Sequence, residues 1–243
     1  MYLYETHCHS SDCSRCGRST ARELVRAYHT AGFAGLVLTD HFVTGNSAVD
    51  RSLPWEAQMR RYYDAYLEAC EEATGLDFDV LFGIEHAYGD GKEVLVYGID
   101  LKFLLENPDL DRISLDAFVE RVHAAGGVVV HAHPYRQRVY IDLSVPPRLD
   151  VVDGIEVYNA GNLPKDGDLA ALAHSRERAY LLTCGSDLHE ARSSKLGQAG
   201  VLLSRRVRSG SELVEALKKN VAGYLVKGLI VPEIRAEHLM DEF

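Results

Sequence analysis

The chain has 243 residues, of which 47% are hydrophobic and 26% charged, values that exclude the disordered and membrane-embedded classes and leave room for one large core. Its 36 Asp and Glu against 26 Lys and Arg give a formal net charge of −10, which argues against a broad basic surface for duplex nucleic acid. No apolar run approaches the roughly 20 residues that span a bilayer, and the start lacks a basic stretch followed by a long apolar one, so the expectation is a cytoplasmic protein with no membrane partner.

In chain order, Tyr2 to Thr6 reads as a strand, which places His7 and His9 on one face by alternation. Thr20-Ala21-Arg22-Glu23 has capping-box spacing, and Leu24, Val25, Ala27 and Tyr28 continue an amphipathic helix that ends at Gly32. Ala34 to Leu38 is a short apolar strand that runs into Thr39-Asp40-His41. After a polar loop from Phe42 to Leu53, Pro54 opens a long helix to about Thr74. Its Met59, Tyr62, Tyr66, Cys70 and Ala73 recur at spacings of three and four, a core-facing stripe rather than a ligand box. Asp79 to Ile84 is a strand ending at Glu85-His86, and Glu93 to Ile99 an added strand.

Ser114 to Ala124 is a helix stopped by Gly126-Gly127, and Val128 to Val130 deliver His131 and His133 before Pro134. Tyr135 to Leu149 is a loop with three arginines; Gly154 to Val157 is a strand ending at Tyr158-Asn159. A helix from Leu169 to Arg178, a strand from Tyr180 to Thr183, a strand from Gly200 to Leu203, a helix from Ser211 to Lys219 and a segment from Gly223 to Val226 follow. The polar tail from Arg235 to Phe243 is expected to fray.

Five cysteines, an odd number, fit reduced thiols better than a disulfide framework. Cys13 and Cys16 have Cys-x-x-Cys spacing, but no second pair accompanies them, so loop cysteines near a cleft are preferred to a thiolate zinc site or redox pair. Cys70 and Cys184 read as small buried hydrophobes.

Alternating strands and helices predict a parallel α/β architecture. At least five strands end in polar side chains, and a closed barrel gathers strand ends in this way. About seven main strands are counted, no linker or repeat interrupts them, and residues 1–243 are expected to form one domain.

His7-x-His9, Thr39-Asp40-His41, Gly83-Ile84-Glu85, Ala132-His133-Pro134 and Gly185-Ser186-Asp187-Leu188-His189 stand in an order and spacing that resembles the polymerase and histidinol phosphatase (PHP) family of metal-dependent phosphoesterases, across residues 3 to 190. The resemblance implies a distorted (β/α)7 TIM-like barrel, two or three divalent ions (Zn, Mn or Fe) and hydrolysis of phosphate esters. It implies that His7, His9, Glu85 and Asp187 hold one metal, that Glu85 bridges to a second held by His133, and that His41 and His189 serve a third. A hydroxide held between metals would attack phosphorus, with Asp187 and His189 assisting proton transfer.

The sequence departs from the family pattern at Leu95, where many members carry a histidine; His86 and His131 are the alternatives, with alternation aiming His86 away and placing His131 on the face of His133. In the loop after the first motif, Asp12 is preferred to Cys16 as a further ligand. Asp40 is expected to orient an imidazole. Arg136, then Arg15, are the expected phosphate-binding residues, Arg192 a weaker one. Glu156 and Asn159 either line the cleft or belong to a buried network, and His29, His123 and His174 are ordinary helix histidines.

The expected activity is hydrolysis of a small phosphomonoester. The alternatives are a diesterase or exonuclease acting on short oligonucleotides, and a metal-binding regulatory domain without turnover. Hydrolysis of a carbon–nitrogen or carboxyl ester bond is disfavoured, because no lysine follows a strand where a modified lysine ligand would be needed.

Overall fold

The computed structural model describes residues 1–240. Strands β1 (Tyr2–Cys8), β2 (Gly35–Leu38) and β3 (Asp79–Gly89) pair in parallel, as do β5 (Val128–His131), β6 (Gly154–Asn159) and β7 (Leu181–Gly185). Strand β4 (Lys92–Tyr97) lies antiparallel between β3 and β5. The sheet is extended past β1 by antiparallel β8 (Ala199–Leu203), β9 (Val221–Val226) and β10 (Leu229–Val231).

The sheet curls until β7 reaches β1. Cys8 bridges to Leu188, the His9 N–H donates to the Leu188 carbonyl at 2.8 Å, and the Asp187 N–H donates to the His7 carbonyl at 2.8 Å. The outcome is a mixed, curled α/β sheet in which the strand-to-helix alternation expected of a seven-fold barrel is only partly kept. Strands β3 and β4 form a hairpin, and irregular segments rather than helices follow β5 and β7.

Alternation sorts the strand side chains into two environments. One row, Tyr4, Val37, Leu81, Leu95, Tyr97 and Val130, packs inside with Leu213 and Leu217 of α6 (Gly210–Lys219). The opposite row packs outward on α1 (Ala21–Thr30), α2 (Trp55–Glu72) and α4 (Leu115–Ala124) through Leu24, Tyr28, Met59 and Phe118. Burying each such side chain contributes about 1.5–3 kcal/mol. At the carboxyl ends of the strands the inward row changes from apolar to His, Glu and Asp.

Local signals explain the element boundaries. The Thr20 hydroxyl accepts the Glu23 N–H, and the Glu23 carboxylate accepts the Thr20 N–H at 2.8 Å, completing the expected capping box. Strand β3 runs five residues past its expected end at Ile84, because Asp90 and Gly91, with φ of 54° and 73°, close a two-residue turn into β4. Lys227-Gly228 closes the β9–β10 hairpin in the same way, with φ of 49° and 77°.

The short helix α3 (Leu101–Glu106), capped by Asp100, was not anticipated, and α5 (Asp168–His174) stops short of Arg178. Much of the tail expected to fray forms α7 (Ala236–Leu239), while 241–243 lie outside the described residues. Among the described residues no helix is long and apolar enough to cross a membrane.

Candidate metal centre

The first motif is positioned by a buried carboxylate. The pairing of β1 with β2 shifts between Glu5 and Cys8, so Glu5 meets Tyr28 of α1 while His7 faces the interior. Glu5 Oε1 accepts the N–H groups of Thr6, His7 and Ser186 at 2.9, 2.8 and 3.0 Å. One side chain thereby fixes the ends of β1 and β7 against each other, and its desolvation is offset by three backbone donors. Gly185 is required beside it: a Cβ there would lie 2.4 Å from His7 Cβ and 2.5 Å from Glu156 Oε1.

Around this frame the expected ligands meet. His7 Nε2 lies 3.1 Å from both His9 Nε2 and Glu85 Oε1, and 3.6 Å from Asp187 Oδ1. His9 Nε2 is 3.1 Å from the same Asp187 oxygen and 3.5 Å from Glu85 Oε2. Glu85 also reaches His133 Nε2 at 3.2 Å and His41 Nδ1 at 2.7 Å. His9, His41 and His189 form a further ligand group, their rings stacked on His9 at 4.4 and 4.5 Å. The Asp187 carbonyl accepts from His189 Nδ1 at 2.8 Å, which leaves Nε2 with the free lone pair of the neutral ring. His133 and Asp187 adopt φ of 29° and 51°, a left-handed conformation that non-glycine residues hold only where surrounding structure enforces it.

These donors fit divalent ions. Ligands about 2.1 Å from a shared cation stand about 3.0 Å apart along an octahedral edge and about 3.4 Å along a tetrahedral one, close to the separations above. His41 Nδ1 and Glu85 Oε2 are buried and 2.7 Å apart, yet neither has a hydrogen-bond partner. Buried polar atoms without partners are costly, and a cation between them would satisfy both.

The electrostatics point the same way. Burial opposes charge on His7 and His41, but Glu156, Glu85 and Asp187 beside His7, and Glu85 beside His41, hold both imidazoles well above the ordinary histidine range. Burial likewise opposes charge on Glu85 and Asp187; His41 and His7 next to the first, and Arg136 and His7 next to the second, keep both carboxylates well below theirs. Burial and its neighbours His41 and His189 push His9 down to about 3. Protons on imidazole are thus held where positive charge is favoured.

Several expected residues are placed differently. Asp12 is not brought to the cluster: its carboxylate accepts the Ala21 N–H at 2.7 Å, at the start of α1 where the helix dipole favours an anion. Cys16 lines the cavity instead, and although burial raises its thiol, hydrogen bonds with His189 and His41 bring it down to about 6. Arg15 is exposed and donates to the Ser47 carbonyl at 2.8 Å, bracing the loop after β2.

Asp40 reaches the histidines through a serine: it accepts from the Ser10 and Ser14 hydroxyls at 2.7 Å, and the Ser14 Oγ receives the His41 N–H at 3.0 Å and lies 3.4 Å from His9 Nδ1. Arg136 lines the cavity but is 7% exposed, donating to Asp187 Oδ2 at 2.6 Å, Asn162 Oδ1 at 2.8 Å and Asn159 Oδ1 at 3.0 Å. Arg192 lies outside the cavity lining.

Neither histidine suggested as a substitute at the Leu95 position joins the cluster. His86 stacks on Phe118 at 4.0 Å on the outer face, as alternation anticipates. His131 is held by the Tyr88 hydroxyl at 2.7 Å and the Ala132 carbonyl at 2.9 Å, because the strand ends there and the positive φ of His133 turns only the later side chain inward.

Sequence reasoning missed Glu93, whose carboxylate lies 3.4 Å from His41 Nδ1 and 3.7 Å from His133 Nε2. The available signal was that Glu93 is two residues from Leu95 and therefore on its face. Glu156, left open between cleft and network, is wholly buried against His7. The cavity over the cluster measures about 580 Å³, with Arg136, Tyr140, Asn46 and Glu93 among its lining residues.

No protein-family model and no curated protein sequence matches the chain. Solved structures do. A two-domain protein from Bacteroides vulgatus containing a predicted PHP-like metal-dependent phosphoesterase superposes with a TM-score of 0.66 at 14% identity, over 94% of this chain and 66% of that one. A candidate metal-dependent phosphoesterase from Bifidobacterium adolescentis gives 0.55 at 18% identity, over 88% and 95%. Endonuclease Q, solved with a 27-mer duplex carrying an abasic lesion at its active site, gives 0.59 at 11% identity, over 89% of this chain and 56% of that one. At these identities the likeness speaks for the fold, and the fold of this chain is that of the PHP-like metal-dependent phosphoesterases, the family its histidine and carboxylate motifs resemble.

Proposed function

We propose that the protein is a metal-dependent phosphoesterase whose preferred substrate is a small phosphomonoester, with residues 1–243 acting as one catalytic domain. The observation that carries this reading is the convergence of His7, His9, His41, Glu85, His133, Asp187 and His189 in one cluster, five of them lining one cavity, with buried polar atoms that lack partners. Two or three divalent ions held there would neutralise phosphoryl charge and lower the pKa of a water nucleophile.

The chain's own residues set the rest. Asp187 and His189 stand at the cavity surface and are assigned proton transfer at the entering water and the leaving oxygen. The three bonds of Arg136 engage three of its five N–H donors, leaving two for a phosphoryl oxygen while the guanidinium holds Asp187 in place. Arg15, which is exposed, braced on the Ser47 carbonyl and not among the cavity-lining residues, is withdrawn from the phosphate-binding set.

The acidic chain and the 580 Å³ cavity favour a small substrate over a long nucleic acid. The fold shared with endonuclease Q supports the second reading, a diesterase acting on DNA or short oligonucleotides. The test pairs elemental metal analysis with hydrolysis of an aryl phosphate, a bis-aryl phosphate and an abasic duplex, for wild type, His7→Ala and Asp187→Asn. Monoester turnover lost in both variants supports the leading reading; diester or duplex cleavage alone selects the second. A metal-replete protein inert to all three moves the assignment to a binding domain.

A further inference from the structure

Glu93 is a carboxylate at the cluster that the motifs did not anticipate, and its geometry gives it a function. It projects from β4 on the inward row of Leu95, where register sets Leu95 opposite Glu85 and Glu93 opposite Ala87, nearer the cavity mouth. Its two oxygens reach two different imidazoles: Oε1 is 3.4 Å from His41 Nδ1 and Oε2 is 3.7 Å from His133 Nε2. Glu85 contacts the same two nitrogens from below, at 2.7 and 3.2 Å. His41 Nδ1 and Glu85 Oε2 are both buried without a hydrogen-bond partner, although they lie side by side. His41, Glu85 and Glu93 thus offer ligand atoms that all lie within 4.8 Å of one another, while the other oxygens of both carboxylates face His133.

We propose that Glu93 is a metal ligand, completing with His41 and Glu85 an oxygen-rich site, its second oxygen facing His133, that shifts preference from Zn2+ toward a harder divalent ion such as Mn2+. This rests on the metal-centre reading above and adds to it the ligand from β4 and the resulting preference. A carboxylate in place of a neutral donor adds one negative charge and one hard oxygen, and oxygen-rich sets suit manganese where imidazole-rich sets suit zinc. Glu93 lines the cavity, so the ion it helps hold faces the substrate side of the centre.

The test is titration of the chelator-treated full chain with Mn2+, followed by the paramagnetic resonance of free Mn2+ and by competition with Zn2+, for wild type, Glu93→Gln, Glu93→Asp and Glu93→His. Circular dichroism of each metal-free variant reports folding. The expected result is loss of one Mn2+ equivalent, or at least about tenfold weaker binding of it, in Glu93→Gln. Glu93→Asp should weaken binding less than Glu93→Gln, and Glu93→His should keep the stoichiometry while moving the Mn2+/Zn2+ preference at least about tenfold toward zinc. Wild-type Mn2+ binding with an unchanged folded Glu93→Gln overturns the Glu93 assignment and leaves the metal centre standing. If Glu93→Gln fails to fold, Glu93→His with an unchanged metal preference overturns it instead. A wild type that binds no divalent ion overturns both.

Discussion

Glu156 Oε1 lies 2.9 Å from His7 Nδ1, and both side chains are fully buried. The other Glu156 oxygen accepts the His133 N–H at 2.9 Å and the Asn159 side-chain amide at 2.8 Å. One carboxylate thus orients the first histidine, fixes its Nε2 toward Glu85 and ties it to the turn that presents His133. Carboxylates behind ligating imidazoles raise ligand basicity and fix the tautomer. Glu156→Gln keeps the shape and removes the charge, so metal affinity should fall about 10- to 100-fold. Chelator competition measures it, and an affinity equal to wild type would remove Glu156 from the centre.

Metal uptake should be linked to proton release. Neighbouring carboxylates hold His7 and His41 above the ordinary histidine range, which favours their protonated forms in the metal-free protein, whereas a ligating imidazole is neutral. Calorimetry in two buffers of different ionisation enthalpy should show protons leaving on binding, and affinity should weaken as pH falls. Heats that do not depend on the buffer would contradict the arrangement. In the metal-free protein the sign of the stability effect is opposite: a raised folded pKa stabilises below the unfolded value near 6.5 and loses that contribution as pH rises through the folded value.

The strand-end motifs were legible because each of His7, His9, His41, Glu85 and Asp187 follows an apolar run, which places it at a strand end. What escaped the sequence depends on backbone that alternation does not describe. The positive φ at His133 separates it from His131, and the shifted pairing at Glu5 and Cys8 turns Glu5 out while His7 stays in. Asp12 read as a ligand because it neighbours the first motif, but the Ala21 amide at a helix start claimed it. Glu93 does not stand at the position of the family histidine, which Leu95 occupies, but one pleat nearer the mouth on the same face.

The buried Arg136–Asp187 pair, 2.6 Å apart with side-chain exposures of 7% and 8%, should couple stability to the site. Removing one partner of such a pair leaves an uncompensated buried charge, at a cost of about 3–5 kcal/mol. Arg136→Met should therefore lower the urea midpoint of the metal-free protein strongly, and adding Asp187→Asn should recover part of the loss. Additive losses in the double variant would show that the two residues act independently.

Acid should destabilise the metal-free protein through histidines that are buried neutral. Burial holds His86 and His131 down to about 3, and burial with two neighbouring imidazoles holds His9 there too. His86 is stacked on Phe118 with its Nδ1 3.1 Å from the Thr44 hydroxyl, so it has no room for a hydration shell. The unfolded chain takes up these protons near pH 6.5, so the native state loses about 1.4 kcal/mol per pH unit for each such histidine as pH falls from there toward 3. Buried carboxyls work in the opposite direction over the same range: burial raises Asp40 to about 6 and Asp168 to about 7, so the folded chain gains on these groups as pH falls. The difference between wild type and a variant lacking one histidine cancels these shared contributions. Urea unfolding at pH 6.0, 5.5 and 5.0 should show that His86→Gln loses less stability per pH unit than wild type, by one histidine's share. Equal slopes would mean that His86 already carries its proton in the folded protein.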